Sequence, residues 1–520
     1  MKVLTRDLPN SFSEFAFGWY QKSQNETCFS NTTKKEKQKN FDENSNITHS
    51  IHSELENQNP QTKKNSIWAV LSSGAGLFSD GYINNSMSTT STCLALLYNE
   101  KYTNSSAMNN VASIVFAGTV LGQLIFGYIS DKVSRKSGML MASAGLTVFS
   151  ILCSASWGKN KNDVHGMLIA LTVYRFILGF FLGAEYPCGS VSAAEASSCL
   201  PRRHRNRYFC MFTNFCIDCG FLTASIVPMI LLSIFTPNNL TPVWRITLGF
   251  GAIPPLALFF MRVNFNDDES FQKLRFKKTS IPYFLFIKFY WFRLFIVSLV
   301  WFIYNFSVYA FGIYATFIIH KITSDGNLYK TFGFNILLNF FYILGSFPGC
   351  FVSDYLGPRL TLVLGAFLQS IIGYIMASCY ASLLKNIGAF VFVYGMFLAF
   401  GEFGPGNNIG LLASKTSAAG IRGTYYSIAA AMGKVGAFVG TYTFSIIVKN
   451  AGGYDTVSGL QAPYWVASSL CLVSAILILF FLPSVDPDVM KEEDKNFLEY
   501  LKASGFEINL LGADRKEEKP

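Results

Sequence analysis

Charged residues are scarce in this chain. Asp, Glu, Lys and Arg make up 14% of its 520 residues, whereas 51% are hydrophobic and 16% are aromatic. This composition excludes an ordinary soluble globular protein and is typical of a protein embedded in a membrane. The formal net charge is +10, but the basic residues are scattered among short polar segments and do not form one patch. The charge therefore does not indicate a nucleic-acid partner.

Groups that commonly hold metals or carry out catalysis are also few. The chain has five histidines, and its eleven cysteines lack the spacing of metal ligands. Most of the cysteines, among them Cys153 and Cys216, fall in apolar segments, where they are expected to be small packing residues. The sequence has no carboxylate pair of the kind that binds a metal diphosphate. We therefore expect no metal, no cofactor and no enzymatic activity.

An apolar N-terminal leader is lacking as well. Residues 1–65 are polar and rich in Asn and Lys, without the apolar stretch that a cleavable signal peptide needs. We expect residues 1–66 to form a disordered tail. The first apolar segment that follows would then direct insertion into the membrane.

The chain does have a series of long apolar segments, each able to cross a hydrocarbon layer of about 30 Å. They predict an all-α polytopic membrane protein with twelve transmembrane helices. The predicted spans are 67–93, 111–130, 138–157, 166–192, 208–235, 244–262, 290–319, 331–353, 360–379, 387–412, 423–448 and 464–482. A polar loop at 263–289 divides them into six and six, and a tail at 484–520 follows the last.

The short basic loops fall on one side of this arrangement. Lys132, Arg135 and Lys136 follow the second span, residues 202–207 follow the fourth, and residues 273–278 follow the sixth. The alternate loops carry only sparse Lys. By the positive-inside rule, both termini are expected in the cytoplasm.

A charged pattern recurs after the second span of each half, at residues 127–136 and 353–359. An acid followed by basic residues at a tight turn can pair with neighbouring helix ends when that face of the protein is closed. The alternative is that these charges only set the topology. Because matching copies occur at matching places, we predict gating roles for Asp131, Arg135, Lys136, Asp354 and Arg359.

The first copy of this pattern resembles the loop motif of the major facilitator superfamily, although Ser134 stands where that motif usually has glycine. Arg175, Gly179 and Gly183 recur at four-residue spacing and resemble a second motif of the superfamily. Small residues at this spacing permit close helix approach, which we expect to be the main role of the two glycines. The resemblance implies a major facilitator fold with two pseudo-symmetric six-helix halves, residues 67–262 and 290–483.

Several ionisable residues fall well inside predicted spans, where a charge is costly unless it lines a cavity or has a partner. They are Asp80, Glu185, Asp218 and Lys434. Such acids are suited to proton coupling, and the alternative is a buried ion pair with Arg175 or Lys434. Arg175 and Glu195 lie toward span ends, where long side chains snorkel. Arg175 is also a candidate neighbour of Glu185 in proton coupling.

The seventh span carries Trp301, Asn305 and Tyr309 at steps of four, so one helix face presents an indole, an amide and a phenol. An aromatic stripe alone is more often lipid-facing or part of the core, but the amide argues against that interpretation. Lys434 in the eleventh span is a suitable partner for an anionic substrate. Tyrosine hydroxyls are suitable additional donors to phosphate oxygens.

Residues 185–187, 301–309 and 433–437 together resemble the proton-coupled phosphate symporters of fungi and plants. The resemblance extends over nearly all of residues 67–485. It implies that the acids of the first and fourth spans, Asp80 and Glu185, take part in proton movement. It also implies phosphate contacts by Tyr186, Trp301, Tyr309 and Lys434.

Two departures from the phosphate symporters matter. Asn305 replaces their seventh-span acid, so this position keeps hydrogen bonding but cannot titrate. In the tenth span, Gly406 stands before Asn407 and Asn408 where the phosphate family places asparagine. This segment resembles fungal glycerophosphodiester permeases, which import glycerophosphoinositol or glycerophosphocholine, and residues 184–190 share that resemblance.

The resemblance implies a proton-coupled importer of an organic phosphate anion in the plasma membrane, with Asn407 at the substrate site. A monomer is expected. Inorganic phosphate is the nearest alternative substrate, and a nutrient sensor without appreciable flux is an alternative of another class. A sugar porter fits less well, because Lys434 has no purpose there and residues 264–270 lack the usual signature. The sequence does not distinguish an inositol headgroup from a choline headgroup.

Overall fold

The computed structural model describes residues 60–511, apart from 104–106, 161–162, 277–278, 323–326, 454–455, 483–484, 486–488 and 509–510. Throughout these ranges the regular structure is helical, without strands. Of the tail predicted to be disordered, residues 1–59 lie outside the described residues. Residues 60–66 are helical, because the first helix, Pro60–Gly74, begins before the predicted boundary.

Eleven helical segments within the described ranges are long and apolar enough to cross a membrane. We number them span 2 to span 12: Asn110–Lys132, Arg135–Ser154, Val164–Ser198, Arg202–Phe235, Leu240–Val263, Tyr283–Tyr309, Leu328–Tyr355, Pro358–Ser378, Ile387–Lys415, Ala419–Asn450 and Val457–Phe481. The helices of spans 2 and 7 extend further, as Ala107–Lys132 and Tyr283–Ile322.

Span 1 is the polar member of the bundle. It consists of Pro60–Gly74 and Phe78–Tyr98, joined by the 3-10 turn Ala75–Leu77. Its second helix is rich in Ser, Thr and Asn, which explains why it is not among the eleven apolar segments. It packs against spans 5 and 7 inside the bundle. Its polar side chains, among them Ser79, Asp80 and Asn84, are therefore buried in the protein interior.

Contacts between spans repeat from one half of the chain to the other. Spans 1 and 5, 2 and 4, and 3 and 6 pack together in the first half, and spans 7 and 11, 8 and 10, and 9 and 12 do so in the second. Span 2 also packs on span 11, and span 8 packs on span 5 in the same relation. This pairing confirms the predicted twelve-helix architecture of two pseudo-symmetric halves.

Small residues allow the closest of these approaches. A methyl group added to Gly179 or Gly183 of span 4 would collide with the backbone of span 2 at Val115 or Thr119. The two glycines are thus packing residues, as expected from their spacing. The turn between spans 8 and 9 places a further demand on glycine, since Gly357 has φ of +82°, in the left-handed region that other residues avoid.

Spans 4 and 10, which occupy equivalent positions in the two halves, are interrupted by wide helical turns. Glu185–Ser190 and Glu402–Gly406 are both π-helical, and they contain Pro187 and Pro405. Proline has no backbone N–H and disrupts the regular ladder of helical hydrogen bonds, and π-turns occur often at functional sites. Both turns begin with a buried glutamate.

The polar segments outside the spans contain helices that the sequence did not predict. Glu269–Leu274 is helical, and span 7 begins at Tyr283, so the central loop is shorter than the predicted 263–289. A tail helix, Val489–Ala503, lies within the predicted tail at 484–520. Its Phe497 packs against Phe289 of span 7, with ring centroids 5.6 Å apart. The tail helix therefore belongs to the folded body.

Candidate functional site

A buried ion pair joins the two halves near the middle of the bundle. Lys434 Nζ of span 11 lies 3.0 Å from Asp80 Oδ1 and 3.1 Å from Oδ2 of span 1. Tyr186 donates to Asp80 Oδ2 at 2.9 Å, and Tyr309 contacts both the same oxygen, at 3.1 Å, and Lys434 Nζ, at 2.7 Å. We call Asp80, Tyr186, Tyr309 and Lys434 the central cluster.

The backbone explains why Asp80 lies there. The break at Ala75–Leu77 starts a new helix at Phe78, so Asp80 falls in its first turn, where the helix dipole favours a carboxylate. Gly81 lets this turn approach the backbone of span 5 at Ile217. Asp80 is fully buried, and Lys434 is 1% exposed. At such depth each charge needs the other, because an unpaired charge is very costly.

A cavity lies beside the central cluster, between the two halves. Five of the six residues predicted to bind substrate line it: Tyr186, Trp301, Asn305, Tyr309 and Asn407. The sixth, Lys434, reaches the cavity through its bond to Tyr309. The step of four along span 7 therefore does place Trp301, Asn305 and Tyr309 on one wall.

A second polar group lines the same cavity around Glu402, the first residue of the π-turn in span 10. Tyr304 donates to Glu402 Oε1 at 2.7 Å, and Asn214 Nδ2 donates to Oε2 at 2.9 Å. Asn214 Nδ2 also donates to Asn407 Oδ1 at 3.2 Å. All four side chains line the cavity. The sequence singled out only Asn407 among them.

Glu185, predicted to take part in proton coupling, is held in a bidentate pair with Arg262 at the end of span 6. Its two oxygens lie 2.6 and 2.7 Å from the two terminal nitrogens of Arg262. The guanidinium also donates to the carbonyls of Ser72 and Ser73 and to Ser143 Oγ. Neither Arg262 nor Glu185 is a lining residue of the cavity. Sequence reasoning missed Arg262, which stood at a predicted span boundary.

The other two proton-coupling candidates do not join the central cluster. Arg175 is buried and donates from Nε to the carbonyl of Val111 at 2.8 Å, so the structure places it apart from Glu185. Asp218 of span 5 is fully buried, and both its carboxylate oxygens lack a hydrogen-bond partner among the described residues. Asp218 lies one helical turn beyond Asn214, which lines the cavity.

One end of the bundle, which we call the basic end, carries the repeated motif. Asp131 at the end of span 2 accepts hydrogen bonds from the backbone N–H groups of Gly423 and Thr424, at 2.8 and 2.6 Å. These belong to the first turn of the helix Arg422–Asn450. A carboxylate from the first half thus caps a helix of the second, and the helix dipole strengthens the contact.

Arg135 and Glu195 extend this contact. Glu195 Oε1 accepts from Arg135 at 2.7 Å and from Arg422 of the other half at 2.8 Å. Arg135 also donates to the carbonyl of Ala419 at 3.1 Å. Glu195 is 3% exposed, so the expectation that it snorkels was wrong, because two guanidinium groups hold it inside.

The second copy of the motif makes the same kind of contact with the halves interchanged. Asp354 at the end of span 8 accepts from the backbone N–H groups of Asn206 and Arg207, both at 3.1 Å, in the first half. Arg359 is buried and donates to the carbonyl of Leu479 in span 12. Lys136 contributes its backbone N–H, which donates to Asp267.

The tail helix completes the basic end. Asp494 accepts from the backbone N–H of Ala419 at 2.6 Å and lies 3.6 Å from Arg422. Burial raises the pKa of Asp494, while Arg422 and the Ala419 N–H act in the opposite direction. Arg422 therefore contacts both Glu195 of the first half and the tail.

Neutral hydrogen bonds join the halves at the opposite end. Asn335 of span 8 donates to Ser225 of span 5 at 3.2 Å, and Tyr329 donates to the carbonyl of Leu232 at 3.3 Å. Nearer the centre, Asn85 donates to Asn339 at 3.0 Å. Both ends of the cavity are thus bridged by contacts between the halves.

Twelve helices in two related halves, with a polar cavity between them, define a multi-pass membrane transporter of the major facilitator fold. The chain belongs to the sugar (and other) transporter family, whose model matches residues 66–272 and 262–497.

Relatives and a solved structure agree with this assignment. The chain is 49% identical to the glycerophosphocholine permease GIT4 of Candida albicans, over 98% of this chain and 94% of the relative. It is 50% identical to the major glycerophosphoinositol permease GIT3 of the same organism, with the same coverage of 98% and 94%. The proton:xylose symporter XylE matches with a TM-score of 0.69 at 16% identity, over 84% of this chain and 100% of that structure, which shows the fold alone.

Proposed function

We propose that this protein is a proton-coupled secondary transporter that imports a glycerophosphodiester across the plasma membrane by alternating access. The observation that carries the proposal is the ion pair between Asp80 and Lys434, which lies between the halves beside the cavity. The proposal includes both termini in the cytoplasm, so that the basic end faces inward, as the positive-inside rule predicts. The names of the two Candida relatives support a diester as the substrate.

The central cluster can couple the uptake of a proton to the binding of a substrate. The Asp80 carboxylate neutralises the Lys434 ammonium at 3.0 Å. When Asp80 takes up a proton, it no longer needs a cation, and Lys434 becomes available for an anion. A phosphodiester oxygen then replaces the carboxylate at Nζ, and the hydroxyls of Tyr186 and Tyr309 can turn toward it as donors. Proton and substrate therefore bind together.

Release reverses these steps. If the diester leaves toward the cytoplasm, Lys434 is again a buried cation without a partner, which favours loss of the proton from Asp80 and restores the pair. The substrate and the proton thus leave on the same side. Asp80 contacts Lys434 of the other half and two tyrosines that line the cavity, whereas Glu185 pairs with Arg262 of its own half. We therefore assign the coupling proton to Asp80 and a structural role to Glu185.

Alternating access requires the two ends to open in turn. The caps made by Asp131 and Asp354 join each half to a helix terminus of the other, so they must break when the basic end opens. The contacts around Asn335 and Tyr329 must break when the opposite end opens. Rocking of one half against the other accomplishes both.

The deciding experiment measures uptake in a transporter-deficient cell that expresses the chain. Labelled glycerophosphoinositol, glycerophosphocholine and inorganic phosphate are offered separately at pH 5 and pH 7. We expect a diester to accumulate, faster at pH 5, and the Lys434→Met variant to be inactive at equal surface expression. If only phosphate is taken up, the substrate is inorganic phosphate and not a diester. Binding without flux in proteoliposomes would favour a sensor.

A further inference from the structure

Glu402 is a buried acid with no cationic partner. It is 3% exposed, and its two oxygens accept from neutral donors, Tyr304 and Asn214. The described residues form no salt bridge to it, unlike Asp80, Glu185 and Glu195, each of which contacts Lys or Arg. It lies on the wall of the cavity. A carboxylate in this position is not neutralised by a protein cation, so a positively charged ligand group beside it would be stabilised.

The walls around Glu402 are aromatic. Seven cavity-lining residues among those described are aromatic, and none is Lys, Arg or His: the seven are Tyr186, Phe209, Phe221, Trp301, Tyr304, Tyr309 and Tyr426. Trp301 and Tyr426 meet edge to face at 5.4 Å, which fixes the orientation of both rings. Aromatic walls with one carboxylate are the surroundings that suit a quaternary ammonium group, which is attracted to ring faces and donates no hydrogen bonds.

Gly406 keeps this part of the cavity open. A methyl group at residue 406 would collide with the Glu402 carboxylate and would lie 2.8 Å from the Tyr304 hydroxyl. In the wide turn Glu402–Gly406, the Glu402 carboxylate therefore lies against the backbone of residue 406. Only glycine at that position leaves room for it. The sequence departure at Gly406 thus serves the placement of Glu402.

The charges of the cavity balance with only one type of diester. Glu402 is the one acid among the described residues that line the cavity, and Asp218 is not a lining residue. Once Asp80 is protonated, Lys434 offers one positive charge and Glu402 one negative charge. A zwitterion satisfies both, with its phosphodiester at Lys434 and a cationic headgroup at Glu402. A diester with an uncharged headgroup leaves Glu402 unpaired in a closed cavity or requires a further proton. Unpaired buried charge is costly, so the zwitterion is favoured.

We propose that Glu402, with the aromatic walls beside it, is the headgroup subsite and selects a quaternary ammonium headgroup. Glycerophosphocholine is then preferred over glycerophosphoinositol. This inference rests on the proposed function and names the substrate within its class. The relatives do not make this choice, since the choline and inositol permeases are 49% and 50% identical to the chain.

The test compares the two diesters in the wild-type chain and in Glu402 variants. Glu402→Gln keeps the size and removes the charge. Its amide oxygen can still accept from Asn214, and its amide N–H can donate to the Tyr304 hydroxyl. We expect it to raise KM for glycerophosphocholine about tenfold, which is the effect of ~1.4 kcal/mol, and to change KM for glycerophosphoinositol less than about threefold. Glu402→Asp keeps the charge and is expected to fall between wild type and Gln for glycerophosphocholine.

Glu499→Gln is the matched control, because Glu499 is 66% exposed on the tail helix and should affect neither substrate. Should the Glu402 variants fail to reach the surface, competition in the wild-type chain decides. Unlabelled glycerophosphocholine must then inhibit uptake of either labelled diester about tenfold more strongly than glycerophosphoinositol does. Equal effects on the two diesters overturn the headgroup assignment and leave the proposed function intact. If wild type takes up neither diester, the proposed function itself is wrong.

Discussion

Lys434 is the residue on which the central contacts converge. Its ammonium holds both oxygens of Asp80 and the Tyr309 hydroxyl within 3.1 Å, and its position also lies over the Tyr186 ring at 5.1 Å. The same ammonium therefore stabilises the folded protein through Asp80 and is the proposed binding group for the substrate phosphate. The contributions of Lys434 to stability and to transport can be measured separately, because stability depends on its pair with Asp80 and transport on its proposed contact with the substrate.

Replacing Lys434 by Met should destabilise the protein by about 3 kcal/mol, because the Asp80 charge is left buried without a partner. The double variant Asp80→Asn with Lys434→Met removes both charges and should recover most of that loss, yet remain inactive in uptake. Unfolding in detergent gives the stabilities, and labelled diester uptake gives the activity. A single variant as stable as the double would show that the pair contributes nothing.

Glu185 gives a contrasting expectation. Glu185→Gln should lower stability by about 3 kcal/mol, since Arg262 loses its charged partner. Uptake per folded molecule should keep the pH dependence of wild type, whereas Asp80→Asn should abolish that dependence. The measurement is initial uptake rate from pH 4.5 to 7.5, divided by the surface amount. A flat pH profile in the Glu185 variant would instead place the coupling proton there.

At the scale of elements, the tail helix joins the network that closes the basic end. Its Phe497 packs on Phe289 and Tyr290 of span 7, and its Glu493 lies 3.0 Å from Arg293. Asp494 then reaches Arg422, which in turn binds Glu195 of the other half. A segment outside the twelve spans is thereby linked to the contact between the halves.

Asp494 gives this link a pH dependence of defined sign. Because burial raises its pKa, the folded chain binds a proton at pH values where the unfolded chain has already lost it. Stability from this group therefore rises as pH falls from the raised pKa toward the ordinary value of about 3.9. Asp494→Asn should flatten that part of the profile and be at least as stable as wild type at pH 7.

Thermal unfolding from pH 4 to 8 measures both chains, with Glu499→Gln as the exposed control on the same helix. The informative quantity is the difference between wild type and the Asp494 variant at each pH. An advantage of the Asp494→Asn variant over wild type that grows as pH falls would contradict the sign given above.

At the scale of the whole molecule, the halves must separate at each end in turn. Asn85 and Asn339 contact across the halves at 3.0 Å, on spans 1 and 8. Cysteines at both positions, linked by a short cleavable thiol reagent, should prevent spans 1 and 8 from moving apart. Uptake should then fall at least ~10-fold, which corresponds to ~1.4 kcal/mol or more. Each single cysteine variant is the control. Uptake should return after cleavage, and uptake that survives complete linkage would exclude rocking at this contact.

Much of this architecture could be predicted from local sequence patterns. Trp301, Asn305 and Tyr309 could be placed on one wall because a step of four on a helix fixes a common face. Asp131 and Asp354 could be paired because the same motif occurs at equivalent places. Residues whose partners lie far away in sequence could not be assigned in this way.

Glu402 shows where sequence reasoning ended. Its contacts come from Asn214 and Tyr304, which are 188 and 98 residues away, and sequence alone does not give the distance between residues on different spans. Arg262 was missed because it stood where a span was predicted to end. The tail helix was missed because a short helix with many charged residues lacks the long apolar signal of a span.

The two ends of the cavity differ in what must be broken to open them. At the opposite end the contacts of Asn335 and Tyr329 are neutral hydrogen bonds, each contributing about 0.5–1.5 kcal/mol. At the basic end, separation pulls Glu195 away from the guanidinium of Arg422 and Asp131 away from two backbone N–H groups of span 11. Charged groups then lose their partners in the other half, which costs more than losing a neutral hydrogen bond. In the proposed orientation, the protein should therefore spend more of the time between transport cycles open toward the outside, where the substrate enters.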